Sequence, residues 1–253
     1  MTKMTAYREG VPCWVDLAAP DAERAMAFYQ ELFGWEYADT GEQGGHYRMA
    51  LKHGTPVAGI SPEPGAGKTH WTTYLAADDI DAVAGRVRDA GGQVLDGPLD
   101  VPQAGRWAMA KDPAGAMFGL WQAGGHIGSG LANEPGTFTW NENLSTDPRA
   151  VRAFYHQVFG YEYDEIPGMD YTVIKLHGAP VGGIGEQPPM IPPGTPSFWT
   201  TYFHVGDTDL TTAQITELGG QVLVPPTDSP YGRMAVARDD GGASFCVIAP
   251  PRG

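Results

Sequence analysis

The sequence has little positive charge and no long apolar run. Its 253 residues include 16 Lys and Arg against 30 Asp and Glu, a net charge of −14. So acidic a surface repels phosphate backbones, and we expect no nucleic-acid partner. No stretch reaches the roughly 18 apolar residues of a membrane helix, and the N-terminus lacks the apolar segment of a signal peptide. We therefore expect a cytoplasmic protein with no membrane partner.

Cysteine is scarce, and the common catalytic motifs are missing. Cys13 and Cys246 could form one disulfide, but a chain with 42% hydrophobic residues builds a core without it, so free buried thiols are expected. There is no G-x-S-x-G motif, phosphate-binding loop or dinucleotide fingerprint. Residues 65–69, GAGKT, resemble a phosphate loop only faintly and are interpreted as a connection between units.

What the sequence does contain is an internal repeat. Residues 14–37, WVDLAAPDAERAMAFYQELFGWEY, match residues 140–163, WNENLSTDPRAVRAFYHQVFGYEY, without a gap. HGTPVAGI, WTTY, GGQVL and GRWAMAKDPAG then recur in the same order as HGAPVGGI, WTTY, GGQVL and GRMAVARDDGG. The repeat predicts a first domain over 1–123, a small polar linker over 124–136 and a second domain over 137–253.

Each half divides again into two units. Asp21 is predicted to cap a helix that stops at Gly34, and a second helix runs from about Asp79 to Ala90. A strand precedes each helix, and strands with Gly and Pro turns follow it. The predicted fold class is α+β, with four βαβββ units paired into two domains. Such a chain is expected to be a monomer, as a pseudo-dimer of domains, or a weak homodimer.

The repeated unit, its FY…FG helix and the DPxG hairpin before the last strand resemble the vicinal oxygen chelate superfamily. Glyoxalase I, bleomycin and fosfomycin resistance proteins and extradiol dioxygenases belong to it. More narrowly, the two-domain layout is similar to an actinobacterial group described as glyoxalase-like or as hydroxylases. The resemblance implies cupped mixed sheets and one divalent metal held by His, Glu or Gln.

The family's metal-ligand positions, carried over to this chain, fall on residues that bind metals poorly. They are Trp14, Thr73, Trp140, Thr201, Gly119 and Cys246, with Gly59 and Gly183 from the shorter units. A metal site needs three or four converging N, O or S ligands, and among these residues only Cys246 is a strong one. The histidines form no H-x-H or H-x-x-x-H pair. We therefore expect no metal and no cofactor.

Strand alternation predicts what lines the cups instead. If Trp14 faces a cup, Asp16 does too, and the second half repeats this with Trp140 and Glu142. The further predicted lining residues are Trp71, Thr73, Trp121, Trp199, Thr201 and the matched tyrosines Tyr47 and Tyr171. Tryptophans with few polar groups are typical of a pocket for a small planar or hydrophobic molecule. The alternative is that they fill the cups as core.

Asp16 and Glu142 are the candidate acid–base residues. Burial among tryptophans would raise the pKa of either carboxyl group. Alternatively, Arg106 or Arg233 pairs with the carboxylate and makes it structural, and the tyrosines either donate a proton or pack.

Three functions remain open. One is a metal-independent binding protein of sequestering or antibiotic-resistance type. The second is a lyase, isomerase or hydroxylase of secondary metabolism or detoxification that uses Asp16 or Glu142. The third is a metal-dependent glyoxalase-type enzyme.

Overall fold

A computed structural model describes residues 3–63 and 69–251, so most of the connection interpreted at 65–69 lies outside the described residues. The first half contains β1 Pro12–Ala19, α1 Ala22–Phe33, β2 Glu36–Asp39, β3 Arg48–Lys52, β4 Thr55–Pro62, β5 His70–Ala76, α2 Ile80–Asp89, β6 Gln93–Val101, β7 Gly105–Lys111 and β8 Met117–Ala123. The second half contains β9 Phe138–Ser145, α3 Pro148–Phe159, β10 Glu162–Glu165, β11 Tyr171–Leu176, β12 Ala179–Glu186, β13 Phe198–His204, α4 Thr208–Glu217, β14 Gln221–Ser229, β15 Gly232–Arg238 and β16 Ser244–Ala249.

The strands form two eight-stranded mixed sheets, one from each half. The first has the order β2-β3-β4-β1-β5-β8-β7-β6, and the second repeats it as β10-β11-β12-β9-β13-β16-β15-β14. β1 lies parallel to β4 and antiparallel to β5, and β5 lies parallel to β8. The α+β class with four repeated units is therefore confirmed.

The helices begin and end where the sequence predicts. The Asp21 side chain accepts from the backbone N–H of Arg24, and Gly34 ends α1 with φ 68°. Asp147 caps α3, whose first turn contains Pro148. Aspartate caps satisfy N–H groups that have no partner inside the helix, and a glycine adopts the left-handed turn at low cost.

The two larger hydrophobic clusters draw on both halves of the chain, whereas a smaller one, around Cys13, Trp14, Ala76 and Trp121, lies within the first half. Around α1, the aromatic rings of Phe28 and Trp35 pack with Phe203 and Phe245 from the second half. The other core joins residues of α2 and β8 to residues of α3 and β13. The helix-covered faces of the two sheets are thus buried against each other, and the opposite face of each sheet is left for the candidate sites.

The predicted linker is tightly packed against the first sheet. Ser129 is fully buried, its N–H donates to the carbonyl of Cys13, and its carbonyl accepts from the phenol of Tyr7. Leu131 belongs to the core around α1. A composition of small and polar residues therefore encodes close packing here. Both cysteines are free and buried, as expected.

The predicted inward orientation of Trp71, Thr73, Trp199 and Thr201 is wrong. In the β1–β5 register Trp14 lies opposite Tyr74 and Asp16 opposite Thr72, and side chains of paired residues share a face. Tyr74 therefore lies on the same face of the sheet as Asp16. Trp71 and Thr73 lie on the opposite face, which is covered by the helices. β9 and β13 repeat this register with Trp140 opposite Tyr202.

No helix in the described part of the chain is long and apolar enough to cross a membrane.

Candidate functional site

We call the sheet face that points away from the helices a cup. Cup 1, on the first sheet, contains Trp14, Asp16, Tyr47 and Tyr74. Cup 2, on the second sheet, contains Trp140, Glu142, Tyr171 and Tyr202. The alternation of β1 places Val15 and Leu17 in the core and their neighbour Asp16 in cup 1, as the sequence predicts.

A carboxylate held by two tyrosines forms the centre of cup 1. The phenols of Tyr74 and Tyr47 both donate to Asp16 Oδ2, over 2.9 and 3.2 Å. Trp14 Nε1 in turn donates to the Tyr47 oxygen over 2.8 Å. Because the same carboxylate oxygen accepts both bonds, these tyrosines do not engage Oδ1.

Cup 2 repeats the arrangement with glutamate. Tyr202 donates to Glu142 Oε1 over 2.7 Å and Tyr171 donates to Oε2 over 3.0 Å, while Trp140 Nε1 donates to the Tyr171 oxygen over 3.0 Å. The carboxylate of cup 2 is thus held at both oxygens, unlike that of cup 1. Tyr47 and Tyr171 thus each connect the tryptophan of their cup to its carboxylate by hydrogen bonds, and proton donation by either tyrosine stays a prediction.

Burial controls the ionisation of these groups. It raises the pKa of Asp16 to about 7, against the lowering effect of the two tyrosine hydrogen bonds, and it also raises the pKa of Glu142. Burial, followed by the nearby Asp16 charge, holds the pKa of Tyr47 and Tyr74 well above the usual range. The phenols therefore stay protonated near neutral pH, and Asp16 is the group that changes charge.

The predicted arginine partners bind elsewhere. Arg106 pairs with Asp81 at 2.6 Å and with Asp100 at 2.9 Å. Arg233 pairs with Asp209 at 2.7 Å and, at 3.1 Å, with Asp228. The hypothesis that an arginine neutralises Asp16 or Glu142 is therefore wrong, because both arginines bridge α2 or α4 to the outer strands.

Glycines make room for the tyrosines of the cups. A Cβ atom on Gly59 would lie 1.7 Å from the Tyr47 oxygen, and one on Gly183 would lie 2.0 Å from the Tyr171 oxygen. A Cβ on Gly119 would lie 2.1 Å from the ring of Tyr74. At Gly59, Gly119 and Gly183, where the family resemblance would place metal ligands, the missing side chain leaves space for a phenol ring.

Trp71 and Trp199 belong to a second pair of networks, in the core. Trp71 Nε1 donates to Tyr29, and Tyr29 donates to Asp239 Oδ2, both over 2.9 Å. The other network is Trp199 to Tyr155 over 2.8 Å and Tyr155 to Asp112 over 3.3 Å. Each of these chains crosses from one half to the other.

Thr73 and Thr201 meet between the sheets. Both hydroxyls donate to Asn141 Oδ1 over 3.0 Å. This contact explains how β9 tolerates a buried asparagine on its helix side, where the matched residue of β1 is Val15. These two threonines are structural contacts and do not reach either cup.

The far side of cup 1 is apolar and partly exposed. β6, β7 and β8 direct large side chains to the cup face, according to the pairings Leu99–Trp107, Trp107–Trp121 and Met109–Gly119. Leu99 and Met117 remain 48% and 46% exposed. In cup 2 the corresponding pairings bring together smaller residues, Met234 with Ile248 and Val236 with Cys246. Cup 1 is therefore the more aromatic of the two.

A cavity of about 190 Å³ lies beside Trp121, and its lining does not include Trp14, Asp16, Tyr47 or Tyr74. It is lined by Tyr7, Ala76, Ala77, Asp78, Trp121, Gln122, Ala123 and Ile127. The predicted cup residue Trp121 therefore lines an open volume, beside the N-terminal segment and the linker.

The residues present do not fit a metal site of the kind that the resemblance implies. Among residues 3–63 and 69–251, no group of three His, Cys, Asp or Glu side chains comes together. Cup 1 offers one carboxylate, with tyrosines seated over Gly59 and Gly119. Neither one carboxylate nor the Glu142–Cys246 combination of cup 2 supplies three converging ligands.

Sequence reasoning missed Tyr74, Tyr202 and Trp107. The signal for the first two was present, because WTTY recurs in both halves and ends in tyrosine. Counting from the pairing of β1 with β5, instead of from the tryptophan, would have placed these tyrosines beside the carboxylates.

The fold and sequence place the chain in a known family. The model of the Glyoxalase/Bleomycin resistance protein/Dioxygenase superfamily matches residues 13–120 and again 144–247. The chain belongs to this superfamily.

Two named relatives extend over nearly the whole chain. It is 45% identical to CFP32 of Mycobacterium tuberculosis, named as a candidate glyoxylase, over 99% of this chain and 98% of the relative. It is 34% identical to the anthracycline biosynthesis protein DnrV of Streptomyces peucetius, over 97% and 95%.

Solved structures share the fold. A Mn(II)-bound glyoxalase from Novosphingobium aromaticivorans matches with TM-score 0.68 and 18% identity, over 96% of this chain and 82% of that one. The 2,3-dioxygenase LapB from Pseudomonas sp. KL28 matches with TM-score 0.69 and 12% identity, over 97% and 94%.

Proposed function

We propose that the protein binds a small, planar and largely apolar molecule in cup 1, without a metal, through an oxygen atom that bonds to Asp16. The observation that carries this proposal is a buried carboxyl group held by two phenols, with neither an ion pair nor a backbone N–H bond among the described contacts. Such a group costs folding free energy, and groups of this kind concentrate at functional sites.

The aromatic side chains of cup 1 favour a planar ligand. Trp107 is half-buried on this face, Trp14 and Trp121 are buried beside it, and the neighbouring methionines adapt to a ligand outline. The name of DnrV links that relative to anthracyclines, which are planar polycyclic aromatics with carbonyl and hydroxyl oxygens. A molecule of this class fits both the ring surfaces and the Asp16 carboxyl group.

The test is a thermal-shift screen of planar aromatic carbonyl compounds, including 1,8-dihydroxyanthraquinone, with and without EDTA. We expect at least one compound to raise the melting temperature equally with and without EDTA. The rise should be smaller in Asp16→Asn than in the cup 2 variant Glu142→Gln. A broad panel without a stabiliser, or stabilisation that EDTA removes, would overturn the proposal. Stoichiometric metal in the purified protein would also contradict it.

Catalysis by Asp16 is the second candidate, because its pKa of about 7 suits a general acid or base at neutral pH. In a lyase or isomerase step the ionised carboxylate would take a proton from a ligand carbon or hydroxyl group and return it at another position. Asp16→Asn is expected to abolish turnover and to retain part of the binding. Unchanged turnover in Asp16→Asn would end this candidate, and Glu142→Gln is the matched control in cup 2.

A further inference from the structure

The linker brings a histidine onto cup 1. His126 packs edge-to-face on Trp14, with ring centroids 4.6 Å apart and an interplanar angle of 88°. Its ring also lies 5.5 Å from that of Trp121. Both tryptophans are cup residues, so the imidazole forms part of the cup wall. His126 lies outside the segments that the two halves share.

The backbone holds this histidine in place from two sides. The His126 N–H donates to the carbonyl of Ala104 over 3.0 Å, and its carbonyl accepts from Trp121 Nε1 over 2.9 Å. Gly125 adds a bond to Gln103 over 3.0 Å. The linker is thus bonded to the turn between β6 and β7 and to β8. The ring packs against two tryptophans, and no hydrogen bond of its Nε2 is found within residues 3–63 and 69–251.

One ring nitrogen of His126 lacks a hydrogen-bond partner in the described part of the chain. Nε2 of His126 is buried and finds no hydrogen-bond partner among residues 3–63 and 69–251. Buried polar atoms are nearly always paired, so one without a partner calls for an explanation. Burial lowers the pKa of His126 to about 4, and the neutral ring therefore carries one N–H donor and one acceptor.

We propose that His126 is a specificity-determining residue of cup 1, whose Nε2 hydrogen-bonds an oxygen of the bound planar aromatic molecule. The inference rests on the proposed function of cup 1. Trp14 connects the two polar groups, since its ring packs on His126 and its Nε1 bonds to Tyr47 beside Asp16. A ligand with oxygens at both ends would satisfy Asp16 and His126 together.

The test is isothermal titration with 1,8-dihydroxyanthraquinone of the wild type and three variants. His126→Phe keeps the ring contacts and removes the nitrogen, so we expect affinity to fall about tenfold, the cost of one hydrogen bond. His126→Gln, whose amide nitrogen reaches the position of Nε2, should stay within about threefold of the wild type. His126→Asn, which mimics Nδ1 instead, should behave like the Phe variant.

The outcomes separate this inference from the proposed function. If the wild type binds and Asp16→Asn weakens binding while His126→Phe does not, the role of His126 is refuted and the cup 1 proposal stands. If the wild type does not bind the compounds of the panel, the proposed function fails and this inference fails with it.

A second measurement does not depend on the variants folding. In wild-type protein with 15N-labelled histidine, the Nε2 resonance of His126 should move when 1,8-dihydroxyanthraquinone saturates the protein. The exposed His53 serves as internal reference and should not move. An unchanged His126 resonance at saturation would overturn the inference.

Discussion

In the described part of the chain, the same tryptophan–tyrosine–carboxylate arrangement occurs four times, twice in the core and twice in the cups. In the core, Asp112 Oδ1 also accepts the backbone N–H groups of Ala114 and Ala116, and Oδ2 accepts the amide of Asn143. In cup 1, Asp16 receives phenols alone among the described bonds. The same three residue types therefore occur with backbone N–H donors in the core and with phenol donors alone in cup 1.

The core and cup carboxylates differ in the groups that donate hydrogen bonds to them. Backbone N–H groups lower the pKa of Asp112 and Asp239 against the effect of burial, although burial still dominates. Each core carboxylate also joins two halves of the chain, since Tyr29 reaches Asp239 and Tyr155 reaches Asp112. Removing a core carboxylate should therefore damage folding, and removing a cup carboxylate should mainly change binding.

The largest expected effect is that of Asp112→Ala. It leaves two backbone N–H groups, one amide and one phenol without an acceptor in a buried site, and should lower the free energy of unfolding by about 3–5 kcal/mol. The matched variant Asp16→Ala, compared at pH 5, should lower it by less, about 1–2 kcal/mol, because it leaves two phenols but no backbone N–H group without an acceptor. Urea unfolding measures both, and equal losses would contradict the comparison.

The second-largest expected effect is a pH-dependent change in the free energy of unfolding caused by Asp16→Asn. The folded-state pKa of Asp16 is about 7, above the usual carboxyl value, so its contribution to stability is full at low pH and is lost as pH rises through 7. Asparagine does not titrate. The variant should therefore gain stability relative to the wild type between about pH 4 and 8, by about 2–4 kcal/mol at the upper end.

Denaturation at pH 5 and pH 8 gives this difference directly. Glu142→Gln is the companion variant, and its shift should have the same sign because burial also raises the pKa of Glu142. A difference between variant and wild type that does not change with pH would show that Asp16 titrates normally.

The smallest effects should come from removing single phenol oxygens. Tyr29→Phe deprives Trp71 of its acceptor and Asp239 of its donor, in a fully buried site, and should cost about 2 kcal/mol. Tyr47→Phe removes the equivalent bonds of cup 1 and should cost about 1 kcal/mol, but it should also weaken ligand binding. The reverse order of stability losses would remove the distinction between core and cup.

Much of this architecture can be predicted from the sequence, because its signals are local. The repeat gives four units, the caps at Asp21 and Asp147 give the helix starts, and alternation along β1 places Asp16 in cup 1. These predictions depend on residues close together in the chain.

The orientation of β5 and the partners of the carboxylates could not be predicted in the same way. The orientation depends on how β1 pairs with β5, where the register shifts between Pro12 and Trp14, and a shift of one residue moves every side chain to the other face. The sequence predicts Trp71 as a pocket residue because no local pattern indicates its hydrogen bond to Tyr29 in the core. The contacts of His126 with Trp14 and Trp121 could not be predicted, because a glycine-rich segment indicates a flexible connection.

A crystal structure of the protein with its best stabiliser from the aromatic panel, grown in the presence of EDTA, tests the central claim most directly. The account predicts density for the molecule in cup 1, flat against Trp14, with an oxygen within hydrogen-bond distance of Asp16. Density outside cup 1, or a metal ion bound by protein side chains in either cup, would contradict it.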